Sequence, residues 1–151
     1  MEQTAVLRGN APARIDDKGR LKIPIAFKAV VAAQHGRDLF VTSLTGESVR
    51  IYPMPVWIEI ERRLAQIPST HPARLRFFSR VNYYGQAAEL DNQGRVLIHP
   101  RLRESAGMAG EVDVFGQYDH LEVWNHERFV TKLANDPFTD ADARALAEFG
   151  I

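Results

Sequence analysis

The phrase "ARIDDKGRLKI", which starts at Ala13, is written again as "AELDNQGRVLI" from Ala88. Aligned at a shift of 75 residues, Asp16 falls on Asp91, Gly19 on Gly94 and Arg20 on Arg95. An internal repeat constrains a fold strongly, because each copy must build the same local unit. In each copy apolar and polar residues alternate up to the Asp, a polar segment containing Gly follows, and alternation resumes after the Arg. That is a β-hairpin pattern: short branched runs flank a tip whose glycine can take positive φ. Leu21 and Ile23 share one strand face, Arg20 and Lys22 the other. Pro24 ends regular pairing, since it has no N–H to give a ladder.

After a linking segment, each half reads as strand again. The first has "DLFVTS", a turn at "LTGES", then "VRIYP"; the second has "EVDVFG", then "HLEVW". A helix follows in both. Pro53 and Pro55 stop the first strand run and suit a helix start. Val56, Ile60 and Leu64 recur every four residues as the buried stripe of that helix, with Trp57 and Ile67 flanking it. In the second half Asn125 is the N-cap, and Phe129 and Leu133 lie on the buried stripe. Each half is thus about four short strands and one helix. Cap chemistry at Ser69 or Thr70, with Pro72, predicts a connecting helix to about Arg80, and Thr139 three before Asp142 predicts a short terminal helix. The expected organisation is residues 1–68 as a first half with its helix at about 55–67, 69–82 as a connecting helix, and 83–151 as a second half with C-terminal helices.

Formal net charge is zero, yet the charges are segregated. From Arg8 to Lys28 six bases face only Asp16 and Asp17, while from Glu104 to Glu127 there are six acids and no Lys or Arg. For a polyanion partner, distribution counts for more than the total. Between the copies Arg14 becomes Glu89, Lys18 becomes Gln93 and Lys22 becomes Leu97, while the apolar pairs Ile15/Leu90, Leu21/Val96 and Ile23/Ile98 are kept. The first copy therefore reads as the polyanion-contacting hairpin, through Arg14, Lys18, Arg20 and Lys22, and the second mostly as scaffold. Asp16, Gly19, Asp91 and Gly94 are read as residues that shape the two loops. Arg95, kept while its neighbours change but without basic company, reads as anchoring its own loop or a subunit contact, and joins the first copy's bases as a DNA-binding candidate. One hairpin with so few bases binds DNA weakly, so useful affinity calls for several presented together. A homo-oligomer larger than a dimer is expected, with apolar residues around Trp57 and Phe77 exposed on its helices.

Other chemistries find little support. The chain has no cysteine, which excludes disulfides and thiolate metal sites and fits a reducing cytosol. The start "MEQTAVLRGN" lacks the apolar core of a signal peptide, and no run is long enough to cross a bilayer, so a cytoplasmic protein is expected. His35, His71, His99, His120 and His126 form no His-x-x-x-His or HExxH pattern and read mostly as surface residues; His99, beside Pro100, reads as packing. Ser79, Ser105 and Asp119 sit in no nucleophile motif, and there is no phosphate-binding glycine loop. Asp113 and Asp119 read as an acidic solvated face rather than a cation site. No catalytic residue, metal or cofactor is expected.

The stretches "RGNAPARIDDKGRLKIPIAFK", "AELDNQGRVLIHPRLRESAGM" and "HLEVWNHERF" resemble MraZ, a family of bacterial transcriptional regulators within the AbrB-like swapped-hairpin group. The resemblance covers nearly the whole chain. It implies a mainly β fold with peripheral helices: a double-psi or swapped-hairpin, AbrB-like β-barrel built from two internal repeats and assembled into rings. It also implies a nucleoid-associated repressor that binds direct repeats in double-stranded DNA, upstream of the division and cell-wall gene cluster containing its own gene. The DNA-facing positions it implies are Asp16 to Arg20, joined by Asp91 to Arg95. Two departures stand out: His99-Pro100 where the family has Pro-Pro, and "FFSRVNYYGQA" in place of an "FFFSGA"-like stretch. A ring-forming protein–protein scaffold, with basic hairpins docking acidic partners, would share this fold and differ only in ligand.

Overall fold

A computed structural model describes residues 6–151, apart from the side chains of residues 34 and 35. Residues 1–5, assigned above to the first half, and the side chain of His35 lie outside the described residues. In chain order the first motif spans β1 (Asn10–Ile15) and β2 (Arg20–Lys22), followed by α1 (Ile25–His35), β3 (Asp38–Thr42), β4 (Val49–Pro53) and α2 (Met54–Leu64). After α3 (Pro72–Tyr84) the second motif spans β5 (Gln86–Glu89) and β6 (Arg95–Leu97). Then come α4 (Pro100–Ser105), β7 (Gly110–Gly116), β8 (Leu121–Asn125), α5 (His126–Asn135) and α6 (Asp140–Ala147).

The strands form one antiparallel sheet in the order β5-β3-β4-β8-β7-β1-β2-β6, and β5 comes back beside β6, so the sheet curls into a nearly closed barrel. Closure leaves little free strand edge. The connectivity is exchanged between halves. β1 lies on β7 of the second half and β5 lies on β3 of the first. β2 pairs with β6 and β4 with β8. The exchange is reciprocal down to single bonds: Ile23 N donates to Gly94 O and Ile98 N to Gly19 O, both at 2.9 Å. The chain is a swapped-hairpin barrel of two repeats, mainly β with helices outside.

The alternation seen in the sequence builds the core. Leu21, Val96, Ile98, Val112 and Val114 point inward and are almost wholly buried, joined by Leu39, Val41, Val49 and Ile51. A second cluster forms where α2 and α3 cover the sheet. Trp57 stacks on Phe40 at 4.6 Å between ring centroids and lies 5.0 Å from Tyr52, and Phe77 packs nearby.

Several expectations need correction. The linking segments are helical: in α1, Phe27 and Val31 at four-residue spacing are buried, and in α4 Leu102 is. Trp57, not the Val56–Ile60–Leu64 stripe, is the most buried residue of α2; those three are only half-buried, because the bulky indole takes the inward position and turns the helix. Trp57 itself is buried, but the apolar residues around it and Phe77 are exposed as expected, Ile58 on α2 and Leu75 on α3, while Leu133 on α5 is exposed rather than buried. His71 caps α3, its Nδ1 accepting from Ala73 N at 3.1 Å, since Pro72 fixes the first helical position, and the helix continues to Tyr84. The cap at Asn125 and the capping box between Thr139 and Asp142 are both formed. Among the described residues, no helix is long and apolar enough to cross a membrane.

Candidate nucleic-acid interface

The two hairpin tips are built alike, atom for atom. Asp16 Oδ1 accepts from Lys18 N at 3.0 Å and Arg20 N at 2.8 Å, and Oδ2 accepts from Arg20 Nε at 2.8 Å. Asp91 repeats this: Oδ1 accepts from Gln93 N at 2.9 Å and Arg95 N at 2.8 Å, and Oδ2 from Arg95 Nε at 2.9 Å. Each carboxylate thereby ties the loop shut and orients the arginine on its far side. The backbone N–H of Arg20, and that of Arg95 in the second loop, is the main cause holding each Asp below the usual carboxylate range; partial desolvation opposes it, and the Arg side chain and the N–H of Lys18 or Gln93 reinforce it. Gly19 and Gly94 complete the turns at φ of 82° and 76°, left-handed values that L side chains resist.

Because each Asp uses only the Nε–H, both terminal amino groups of Arg20 and Arg95 have no protein partner among the described residues. A guanidinium so oriented presents a fork that suits a phosphate or the O6/N7 edge of guanine.

The strand register decides which bases meet. In the β2–β6 ladder Arg20 faces Leu97, Leu21 faces Val96 and Lys22 faces Arg95. Leu21 and Val96 fill the core, so Arg20, Lys22, Arg95 and Leu97 share the outward face. Lys18 is exposed at the first tip. Arg14 lies on β1 opposite Glu111 and lines an open surface recess with Lys22, Pro12 and the exposed Ile25.

The picture of a charged first copy beside an uncharged second one is thus too simple. Along the chain Arg95 sits between Gln93 and Leu97, but across the ladder its neighbour is Lys22. Arg20 is the one with an apolar neighbour. Both arginines anchor their own loops, and they do so identically.

Two more bases come onto the loops from helices. Arg103 of α4 lies across Gly19, and Lys28 of α1 lies across Gly94. Sequence reasoning passes over both as site residues. A signal is present all the same, for the shift of 75 that relates the motifs also carries Lys28 onto Arg103.

A family model described as "MraZ protein, putative antitoxin-like" matches residues 85–149. The chain is 50% identical over 146 residues to the transcriptional regulator MraZ of Acidobacterium capsulatum, covering 97% of this chain and 100% of the relative. It is 44% identical over 147 residues to that of Koribacter versatilis, with 97% and 100% covered. With that of Herpetosiphon aurantiacus it shares 38% over 142 residues, covering 91% and 94%. Two Asp-x-x-Gly-Arg hairpins on a swapped barrel, and identity of this extent over full-length relatives, place the chain in the MraZ family of transcriptional regulators.

Proposed function

We propose that this protein is a sequence-specific DNA-binding repressor of the division and cell-wall gene cluster that includes its own gene. It acts in the cytoplasm on the nucleoid and binds direct repeats as a homo-oligomeric ring of chains with two motif-bearing halves. Arg14, Lys18, Arg20, Lys22 and Arg95 meet the DNA, while Asp16, Gly19, Asp91 and Gly94 shape the loops that present them. It performs no catalysis.

The observation that carries this reading is the outward face of the β2–β6 ribbon, where Arg20, Lys22 and Arg95 gather with both guanidinium groups oriented by a carboxylate. The five cations of one protomer supply modest affinity that salt erodes, so several protomers must act together. The exposed apolar residues Val130, Leu133, Phe138, Phe149 and Ile151 on α5 and the tail provide surface for packing between copies.

The test is fluorescence anisotropy with a duplex from upstream of the protein's own gene and a scrambled duplex, at several salt concentrations. The expected result is preference for the first duplex and a steep loss of affinity with salt. Equal or absent binding to both would sink the reading, and capture of acidic proteins with no DNA binding would favour the scaffold instead.

A further inference from the structure

We propose that Arg103 and Lys28 are themselves DNA-contacting residues, each supplied by one half to the loop of the other, so that each hairpin tip is a composite of both halves. The inference rests on the DNA-binding reading above.

Gly19 and Gly94 belong to loop tips, yet both are buried. What covers them is a cation. A Cβ built on Gly19 would fall on Arg103 Nη1 and 2.5 Å from its Cζ, so the guanidinium occupies the space the missing side chain leaves. A Cβ on Gly94 would lie 2.9 Å from Lys28 Cδ and 3.1 Å from Nζ. The glycines therefore do more than permit a turn: they clear a seat for a base from the opposite half. The swap makes this possible, since α1 follows the first motif's strands and α4 the second's, while β2 and β6 run side by side.

Neither cation is neutralised. Among the described residues neither Arg103 nor Lys28 forms an ion pair; the one side-chain hydrogen bond of Arg103 is a long one, 3.4 Å from Nη1 to Ile98 O, and Lys28 makes none from its side chain. Asp16, Asp17 and Glu104 line the same surface recess as Arg103, at distances beyond an ion pair. A half-buried, unpaired base beside a loop that already orients an arginine is a stability cost that an incoming phosphate would offset. Arg103, planar and multidentate, and Lys28, a point charge, both suit the phosphates on either side of a groove.

The test uses the full-length chain and the two duplexes above, comparing Arg103→Gln, Lys28→Gln and Arg103→Lys with the native protein. Each Gln variant should lower the slope of log K against log salt by about 0.9 for each phosphate left without its cation, on both duplexes alike. Arg103→Lys should keep the slope. An unchanged slope in the Gln variants overturns the inference, even if affinity falls, because a loop support alone weakens binding without changing the number of phosphates neutralised. If Arg103→Gln fails to fold, Lys28→Gln decides by the same criterion. Absence of DNA binding by the native protein would overturn the functional reading, and this inference with it. Native binding with variant slopes unchanged would overturn this inference alone.

Discussion

Replacing Gly19 by Ala probes the first tip directly, and Gly9 supplies its control. Both glycines have nearly the same left-handed φ, 82° and 80°. A methyl at Gly9 would meet nothing within 4 Å, whereas at Gly19 it would land on the guanidinium of Arg103. The backbone cost of holding Ala at such a φ is common to both, about 1–2 kcal/mol. Gly19→Ala must in addition expel the half-buried Arg103 and break its bond to Ile98 O. That bond is long and the side chain is flexible, so the extra cost is at the level of one ordinary hydrogen bond, about 0.5–1.5 kcal/mol. Thermal unfolding at fixed protein concentration should place Gly19→Ala below Gly9→Ala by roughly 1–6 °C, at about 2–4 °C per kcal/mol for a chain of this size. The excess should vanish when Arg103→Ala is added, because the double-mutant cycle removes the clash itself. Equal melting of the two single variants, or an excess that survives Arg103→Ala, would show that Arg103 does not occupy the seat over Gly19.

Leu21→Ala, at a position with no exposed surface, should cost about 2–5 kcal/mol in urea unfolding, and a loss below about 1 kcal/mol would mean the β2–β6 ribbon is not part of the core. Trp57→Ala should cost about 3–5 kcal/mol through loss of the stack on Phe40 and Tyr52, where an exposed indole would cost little. His126 Nδ1 lies 2.7 Å from Asp113 Oδ2, and that hydrogen bond, then the carboxylate's charge, raises the imidazole above its ordinary value. The stabilisation should be fully present below the unfolded value of about 6.5 and fade as pH rises through the raised folded value, so melting should show a step there that Asp113→Asn removes. Arg20→Ala and Arg95→Ala should weaken DNA binding by comparable factors, each roughly 5- to 150-fold if its fork reads a guanine; anisotropy titrations in which only one variant matters would restore the one-sided reading.

The repeat, the strand runs and the caps at Asn125 and Thr139 are legible in the sequence because they depend on neighbours within a few residues. The helices α1 and α4 escape it for a different reason. Pro24 reads as the end of a strand, although a proline also opens a helix, as Pro24 and Pro100 both do, and Phe27–Val31 and Leu102 carry the inward face. The inward position of Trp57 is hidden because a four-residue stripe and a turned stripe look alike over one short helix. The company each motif arginine keeps is beyond reach along the chain. A swapped hairpin brings residues about 75 apart into one ladder, so the neighbours that set the charge of the site are absent from either motif when it is read alone.

The ladder registers also separate two meanings of the charge differences between copies. Arg14 faces Glu111 across β1 and β7, while Glu89, its counterpart, faces Asp38 across β5 and β3. Opposite charges directly across a ladder stabilise it and like charges do the reverse, each by about 0.2–1 kcal/mol. Part of the charge of Arg14 is thus accounted for by its own sheet, which leaves it the least available of the five cations proposed to meet DNA. Lys22 and Arg95 are the opposite case, two cations placed directly across from each other; Asp91 pairs with Arg95, and Lys22 has no ion pair among the described residues. The second copy shows that an apolar residue is accepted at the matching place, for Leu97 faces Arg20 there. Keeping Lys22 therefore holds a repulsion that the fold does not require, and an anion seated between Lys22 and Arg95 would turn that repulsion into attraction for both. Lys22→Leu should accordingly make the barrel slightly more stable, by a few tenths to about 1 kcal/mol, while weakening DNA binding and its salt dependence. A variant less stable than the native chain, or one that binds DNA as well, would show that Lys22 serves the sheet and not a polyanion.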